Sequence, residues 1–395
     1  MTTSPPNLPV TAPPFAARYF KAKMILAGVL VVCAFLAVGF KSIFSIQVPN
    51  GSPLAESVRA GNHIVTLIQT LEPYVVSLHR NPENNRYAVA LFVAPVDGSS
   101  RKNMIPIGKG FRSSELQLAR VLGFDGITVW CLVDKLHGVN LTTGKLVDAA
   151  KLQNANPRLV ETWDDPRRMT FDARLQVASS DRQRILEVEP ESLKASSIRE
   201  GRNAATLPSR TRLENFLSVG ARPSPNRWLA LLSSREAELP YKPKSWLQPI
   251  NRAESARVMR RIYVGQLGPE LARGNREILG LTALSANEYF NGAFVRSGPE
   301  IEPTRLSSPD GFLMAYTASP ALGATLMVAR VTTDGKIVWS VDTGLDRFLL
   351  KQILPDGPFP AFVGTRPAVP NKVSEPLLVI INTQTGGVSS TSLWQ

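Results

Sequence analysis

One strand-and-turn unit recurs four times in this chain, and it constrains the fold more than any other feature. Val139-Asn140-Leu141-Thr142-Thr143-Gly144-Lys145 is the first copy. Leu186-Glu187-Val188-Glu189-Pro190-Glu191-Ser192-Leu193-Lys194 and Ala329-Arg330-Val331-Thr332-Thr333-Asp334-Gly335-Lys336-Ile337-Val338-Trp339 are the next two. Ile380-Ile381-Asn382-Thr383-Gln384-Thr385-Gly386-Gly387 is the last. A polar residue can close each turn on its own backbone, and Gly, where present, supplies a positive φ. The turns end at residues 145, 194, 336 and 387, so the gaps are 49, 142 and 51. The long gap is close to three periods of about 48, a length that suits a four-stranded propeller blade. One period back lies another turn, Asp97-Gly98. Copies near 242 and 289 are degenerate, and about seven units fit between 97 and 387. A single blade cannot bury both of its faces, so the units must stack, and a closed ring protects the strand edges. The expected fold is all-β: a β-propeller of about seven four-stranded blades, with six to eight compatible.

The first full unit reads strand by strand. Ala119–Phe124, Ile127–Val133 and Leu136–Leu141 are strand candidates separated by turn signals, and Leu146-Val147 begins a fourth. Residues 54–72 read either as one helix or as the approach to the first strand. The apolar fraction of 44% is enough for a core. There are two cysteines, Cys33 in an apolar run and Cys131 in a strand-like run, so neither a disulfide between them nor a thiolate zinc site is expected. The three histidines, His63, His79 and His137, are isolated in sequence, which disfavours catalysis by several imidazoles.

These units resemble the quinoprotein-like propeller repeat, whose blades carry A-x-D-x-x-T-G-K-x-x-W. Ala329, Gly335, Lys336 and Trp339 match it, with Val331 in place of the Asp. Asn140, Thr143, Gly144 and Lys145 match, with Asp148 in place of the Trp. Glu189, Ser192 and Lys194 match loosely, as do Asn382, Thr385 and Gly386. The resemblance covers four of about seven units and implies fold rather than function. The whole chain is also similar to an uncharacterised proteobacterial family of single-span membrane proteins, which implies no mechanism.

The N-terminal segment reads differently. Residues 1–17 carry no charged side chain and five prolines, which suits a disordered tail over 1–23. Met24 to Phe40 is 17 residues without a charge. At 1.5 Å per residue it spans about 25 Å, close to the hydrocarbon thickness of a bilayer. Ile43, Phe44 and Ile46 extend it, giving a transmembrane anchor over 24–46 and a linker or short helix over 47–72. Gly39, Phe40 and Lys41 make a poor cleavage site, so an uncleaved anchor is expected over a signal peptide. Arg18, Lys21 and Lys23 precede the span and Lys41 alone follows it closely. That places the N-terminus in the cytoplasm and the rest in the periplasm, in an inner-membrane protein.

The middle segment, 196–276, holds 15 basic and 6 acidic residues, most of the chain's surplus of 13. Its stretch Arg252–Arg261 has helical composition, so a partly helical insertion between blades is expected there. Arg257, Arg260 and Arg261 are candidate contacts to an anionic surface. Nucleic acid is not an expected partner, since basic and aromatic residues do not interleave. Val341-Asp342-Thr343-Gly344 resembles an aspartic-protease motif but occurs once, where that mechanism needs two. Gly138 to Leu146 has the wrong spacing for a phosphate loop, and Ser99-Ser100-Arg101-Lys102 lacks its partner motifs. No catalytic, cofactor or metal residue is assigned, and no cofactor is expected. The reading is a membrane-anchored, extracytoplasmic propeller that binds an envelope protein or a ligand and is not an enzyme. The alternative is a quinone-dependent dehydrogenase-like enzyme using the central channel.

Overall fold

In the computed structural model the alternation of side chains along each strand sets everything that follows. The model describes residues 51–72, 85–98, 103–163, 165, 168–179, 184–200, 212–238, 258–271, 275–284, 288–298, 302–303, 305–307, 310–367 and 374–394. Six antiparallel sheets account for nearly all of them, and the chain is all-β.

Sheet I holds β1 (Ser52–Pro53), β2 (Val58–Ala60), β3 (His63–Leu71), β4 (Tyr87–Pro95) and β5 (Asn103–Phe111). Sheet II holds β6 (Arg120–Phe124), β7 (Thr128–Val133), β8 (Lys135–Asn140) and β9 (Leu146–Asp148). Sheet III holds β10 (Met169–Asp172), β11 (Arg174–Ala178), β12 (Arg184–Val188) and β13 (Ala195–Glu200). The next segment, β14 (Leu217–Ser218), belongs to sheet V, whose other strands come later. Sheet IV is β15 (Gly220–Ser224), β16 (Arg227–Leu232), β17 (Arg261–Leu271) and β18 (Asn275–Ala283). Sheet V continues with β19 (Asn291–Val295), β20 (Leu306–Ser307), β21 (Asp310–Thr317), β22 (Thr325–Thr332) and β23 (Ile337–Asp346). Sheet VI is β24 (Gln352–Leu354), β25 (Ala361–Thr365), β26 (Pro376–Ile381) and β27 (Val388–Ser392). Two short α-helices interrupt the pattern among the described residues, α1 (Ala149–Ala155) and α2 (Ser234–Ala237).

Successive residues of a strand point to opposite faces, so a run that is apolar at every position is buried on both sides. In sheet I, Val65, Leu67, Val89, Leu91 and Val93 pack against Val129, Cys131 and Val139 of sheet II. Their neighbours Ile64, Ile68, Phe92 and Ala94 face the other way, onto Ala361, Val363, Leu378 and Ile380 of sheet VI. Trp130, Leu132 and Leu136 carry sheet II onto Met169, Leu175 and Val177 of sheet III. Sheet IV meets sheet V through Leu229, Leu231 and Ile262 against Phe294, Phe312 and Met314. Leu313, Ala315 and Val328 then join sheet V to Phe362, Leu377 and Val379 of sheet VI. Sheets III, II, I, VI, V and IV therefore form one unbroken stack, with the first and last sheets of the chain in direct contact.

The recurring turns all occupy one place, the hairpin between the last two strands of a sheet. In sheet II, Asn140 Oδ1 accepts from the N–H groups of Thr142 and Thr143 at 3.0 and 2.8 Å. In sheet VI, Asn382 Oδ1 accepts from Gln384 and Thr385 at 2.9 and 3.1 Å. Gly144 and Gly386 follow at φ +67° and +75°. Sheet III builds the same turn from Glu189, with Leu193 at φ +56° where the others place glycine. Sheet V closes a turn one residue shorter, Thr332 to Lys336, with Gly335 at φ +87°. These hairpins nest on their neighbours. A Cβ at Gly386 would lie 3.0 Å from the Trp339 ring of sheet V, and one at Gly98 would lie 2.6 Å from Cβ of Ser389 in sheet VI.

Six sheets stand among the described residues, within the expected six to eight and one fewer than the central count of seven. The gap of 142 between turn ends 194 and 336 holds one sheet where two were expected. Sheet IV fills it with an 11-residue strand, β17, and a long connection from β16, and its own last hairpin falls between Leu271 and Asn275. Position 242 lies outside the described residues, and Tyr289 precedes β19 rather than closing a hairpin. Residues 58–60 and 63–71 form β2 and β3, so the stretch read as a helix, a linker or the approach to the first strand already holds strands of sheet I. Arg261 opens β17 and Arg260 bridges Phe290, so the helical composition of 252–261 yields no helix at its described end. No helix among the described residues is long and apolar enough to cross a membrane. The segments read as tail and anchor, 1–23 and 24–46, lie outside the described residues.

Candidate functional site

The first strands of sheets I, V and VI, each at an edge of its sheet, are short, and the segments beside them leave a cavity between them. Leu54, Ala55 and Glu56 lie between β1 and β2, and Arg212, Leu213 and Glu214 precede β14. Phe348, Leu349, Leu350 and Lys351 lead into β24, whose first residue is Gln352. Together they line a cavity of about 600 Å³. Its floor is apolar where Leu213 and Leu350 dip into the core shared by sheets V and VI. Its rim carries both signs of charge, with Glu56, Arg212 and Lys351 exposed. A site of this kind can take an apolar side chain and orient the polar groups on either side of it.

One wall is held by a side-chain clasp. Gln352 Oε1 accepts from the Ser57 N–H at 2.7 Å, and Gln352 Nε2 donates to the Ser57 carbonyl at 2.7 Å. The carboxamide thus behaves as a peptide group in a two-bond β-bridge between residues 295 apart. Ser57 Oγ and Thr66 Oγ1 are hydrogen-bonded at 2.5 Å beneath it, both buried. Arg59 Nη2 donates to the Phe359 carbonyl at 2.5 Å further along the same seam.

The residues singled out from sequence lie elsewhere. Asn140, Gly144, Lys145, Glu189, Lys194, Gly335, Lys336, Asn382 and Gly386 form the outer hairpins, and Trp339 of β23 packs on one of them. Of the three candidate anion contacts, Arg257 lies outside the described residues. Arg260 is only 6% exposed and turns inward, where Nε and Nη2 donate to Glu236 at 3.2 and 3.1 Å. Glu236 also closes a capping box with Ser233 at the start of α2. Burial pushes the Glu236 carboxyl up, but its bonds to Arg260 and Ser233 outweigh that and hold it below its ordinary value. Arg261 stacks on the Tyr289 ring at 4.2 Å and donates to its hydroxyl.

The motif look-alikes resolve into structure. Asp342 sits within β23, where its Oδ1 accepts from Gly344 N–H at 2.8 Å and its Oδ2 from Thr325 at 3.2 Å. The stretch from Gly138 to Leu146 is the hairpin of β8 and β9. Ser99 to Lys102 and His79 lie outside the described residues. His137 lies on β8 beside Asp134 and Asp148, and burial lowers its pKa despite those two carboxylates. Burial pushes the Cys131 thiol up to about 12, which makes it inert as a nucleophile. Arg330 is 1% exposed and donates to the Thr383 carbonyl, tying sheet V to the last turn of sheet VI.

Sequence reading missed the cavity residues altogether. The repeat marks the hairpins between the last two strands, whereas Leu54–Glu56 join β1 to β2 and Phe348–Lys351 lead into β24 at Gln352, and these carry no repeated residue. The available signal was positional: a linker that follows an outer strand must run back to the inner edge of the next sheet.

No protein-family model and no curated protein matches the chain. Solved structures do. The AtxE2 isopeptidase in its apo form covers 88% of this chain at 8% identity and a TM-score of 0.39. The chain spans about half of that protein, 50% of its length. The β-propeller domain of the Trilobed protease from Pyrococcus furiosus covers 88% of this chain and 96% of its own, at 10% identity and a TM-score of 0.32. The acylaminoacyl peptidase of Pyrococcus horikoshii covers 87% of this chain and 52% of its own, at 11% identity and a TM-score of 0.30. The expectation that the chain is not an enzyme does not stand, because these structures are of an isopeptidase, a protease domain and a peptidase. At such identities and scores they carry no activity over to this chain, and the chain is similar to propeller-like folds.

Proposed function

We propose that the chain is a six-bladed, membrane-tethered β-propeller that binds a segment of an envelope protein in the cavity bounded by the inner edges of sheets I, V and VI. The observation that carries this reading is the cavity itself, an apolar floor ringed by Glu56, Arg212 and Lys351 at the inner edges of three sheets. Contact between the first and last sheets supports a closed ring, in which the inner strands would surround an axis. Loops and linkers on a rigid stacked frame are where binding surfaces commonly form. The apolar run from Met24 to Phe40, with its basic N-terminal flank, supports the tether and a periplasmic propeller.

A photo-reactive residue at Leu349, compared with one at Val338 on the outer strand β23, tests the site in intact membranes. Both positions are exposed, at 39% and 46%. A discrete product from position 349 that is absent from 338 supports the reading. Equal products from both positions, or none from 349, contradict it. A periplasm-only reporter fused to the C-terminus tests the tether. Activity there supports the orientation, and silence with an active cytoplasmic reporter rejects it.

A further inference from the structure

The seam between sheets I and VI has two layers. Its deep layer is apolar and long: β3 and β4 have nine residues each, and Ile64, Ile68, Phe92, Leu378 and Ile380 pack between the sheets. Its inner layer is short: β1 has two residues, β2 three and β24 three, and of these only Ala60 and Ile353 are buried apolar side chains. No strand is shared between the two sheets. What spans the inner layer is the Gln352 carboxamide on the Ser57 backbone, with Arg59 on the Phe359 carbonyl beside it. Elements with few residues and few buried apolar contacts open at lower free energy than the core they lie on. Gln352 and the segment before Ser57 are also walls of the cavity.

We propose that Gln352 is a latch: the inner edges of sheets I and VI part locally at the cavity wall, without separation of the apolar layer beneath, and the Gln352–Ser57 bridge sets how often they do. The inference goes beyond the binding reading and holds whatever the cavity takes. Its consequence is a cavity whose width follows the state of one side chain, so an occupant that keeps the bridge closed would also hold the two sheets together.

Two amides on these edges report on the opening, in which each edge frays from its own sheet, and neither bonds to the Gln352 side chain. The Leu54 N–H bonds to the Leu67 carbonyl at 2.8 Å on the sheet I side, and the Lys351 N–H bonds to the Val363 carbonyl at 2.8 Å on the sheet VI side. Native-state hydrogen exchange on the full chain is compared between the unmodified protein, Gln352→Met and Arg59→Met. Loss of two neutral hydrogen bonds should raise exchange at both amides in Gln352→Met by about ten- to a hundred-fold. The amides of Leu91 and Leu378, on β4 and β26, the strands that carry the apolar layer, should keep their protection. Arg59→Met cuts the neighbouring bond and should move the same two amides by a smaller factor, which keeps the test alive if Gln352→Met does not fold. Unchanged exchange at Leu54 and Lys351 in a folded variant overturns the latch. So does an equal rise at Leu91 and Leu378, which would mean that the seam opens only with the whole fold.

Discussion

Sheets VI and I meet through ten buried apolar residues interleaved from both sides, and a bridge of side-chain hydrogen bonds runs along their inner edge. Sheets III and IV, which are consecutive along the chain, show no such shared cluster among the described residues. Trp228, Ala230, Leu232 and Tyr263 form a small cluster of their own on the face of sheet IV turned away from sheet V. Gln176, Ala178 and Ile185 are buried on sheet III, on strands whose alternate residues Leu175 and Val177 face sheet II. The better-packed junction is the one that joins the two ends of the chain. In a stack of repeats each sheet contacts only its neighbours, so a ring needs this one non-local contact to be strong, whereas a local junction can be loose.

This contrast predicts a gradient of mutational effects. The largest belongs to the apolar layer of the VI–I junction. Leu378→Ala should cost about 3–4 kcal/mol in denaturant unfolding, because the residue is fully buried between two sheets and neither can collapse into the space. Ile185→Ala on sheet III should cost about 2 kcal/mol by the same measurement. Equal costs at the two sites would erase the comparison.

The Glu236–Arg260 pair, on sheet IV's side of the looser junction, should come next. Glu236→Gln leaves the buried Arg260 guanidinium without its counter-charge and should cost about 2 kcal/mol near neutral pH. The folded pKa of Glu236 lies below its ordinary value, so its contribution is present above the unfolded carboxylate pKa and is lost as pH falls through the folded pKa. The gap in stability between Glu236→Gln and the unmodified protein should therefore narrow on acidification through that window. A gap that widens instead would show that Glu236 is not the charged partner.

Two outer turns sharpen the picture at smaller scale. Gly144 has φ +67° with open space around its absent Cβ, so Gly144→Ala should cost about 1 kcal/mol for the backbone alone. Gly386 shares that conformation but lies under Trp339, so Gly386→Ala should cost about 1 kcal/mol more. The difference between the two costs, measured by thermal unfolding, isolates the contact between sheets V and VI. No difference would mean that Trp339 yields freely.

The turns also show what was legible in sequence. Asn140 with Gly144, and Asn382 with Gly386, mark their hairpins because a side chain closing on the backbone and a positive φ demand particular residues. The strands of sheet II could be read to within a residue or two from their apolar runs. Sheet IV resisted because its strands are long and unevenly connected, so a fixed period overcounted the gap from 194 to 336. Leu193 takes a glycine's place in the turn of sheet III, which hides that repeat from a glycine pattern. Arg260 read as a free surface cation because sequence shows charge but not the Glu236 across the fold. The cavity was illegible for a further reason: Glu56, Arg212 and Lys351 come together only once three separate sheets have been placed.

The central claim is that the first and last sheets of the chain are neighbours. A disulfide trap tests it most directly, with Gly98→Cys and Ser389→Cys in a Cys33→Ser background. A Cβ at 98 would stand 2.6 Å from Cβ of Ser389, closer than a disulfide requires, so the link closes once the turn gives by about 1 Å. Mild oxidation of the native protein should link residues 98 and 389 in nearly every molecule, as peptide mass spectrometry would read it, and prior denaturation should abolish the link. A native, folded protein in which the two thiols stay free would contradict the stack of sheets described above.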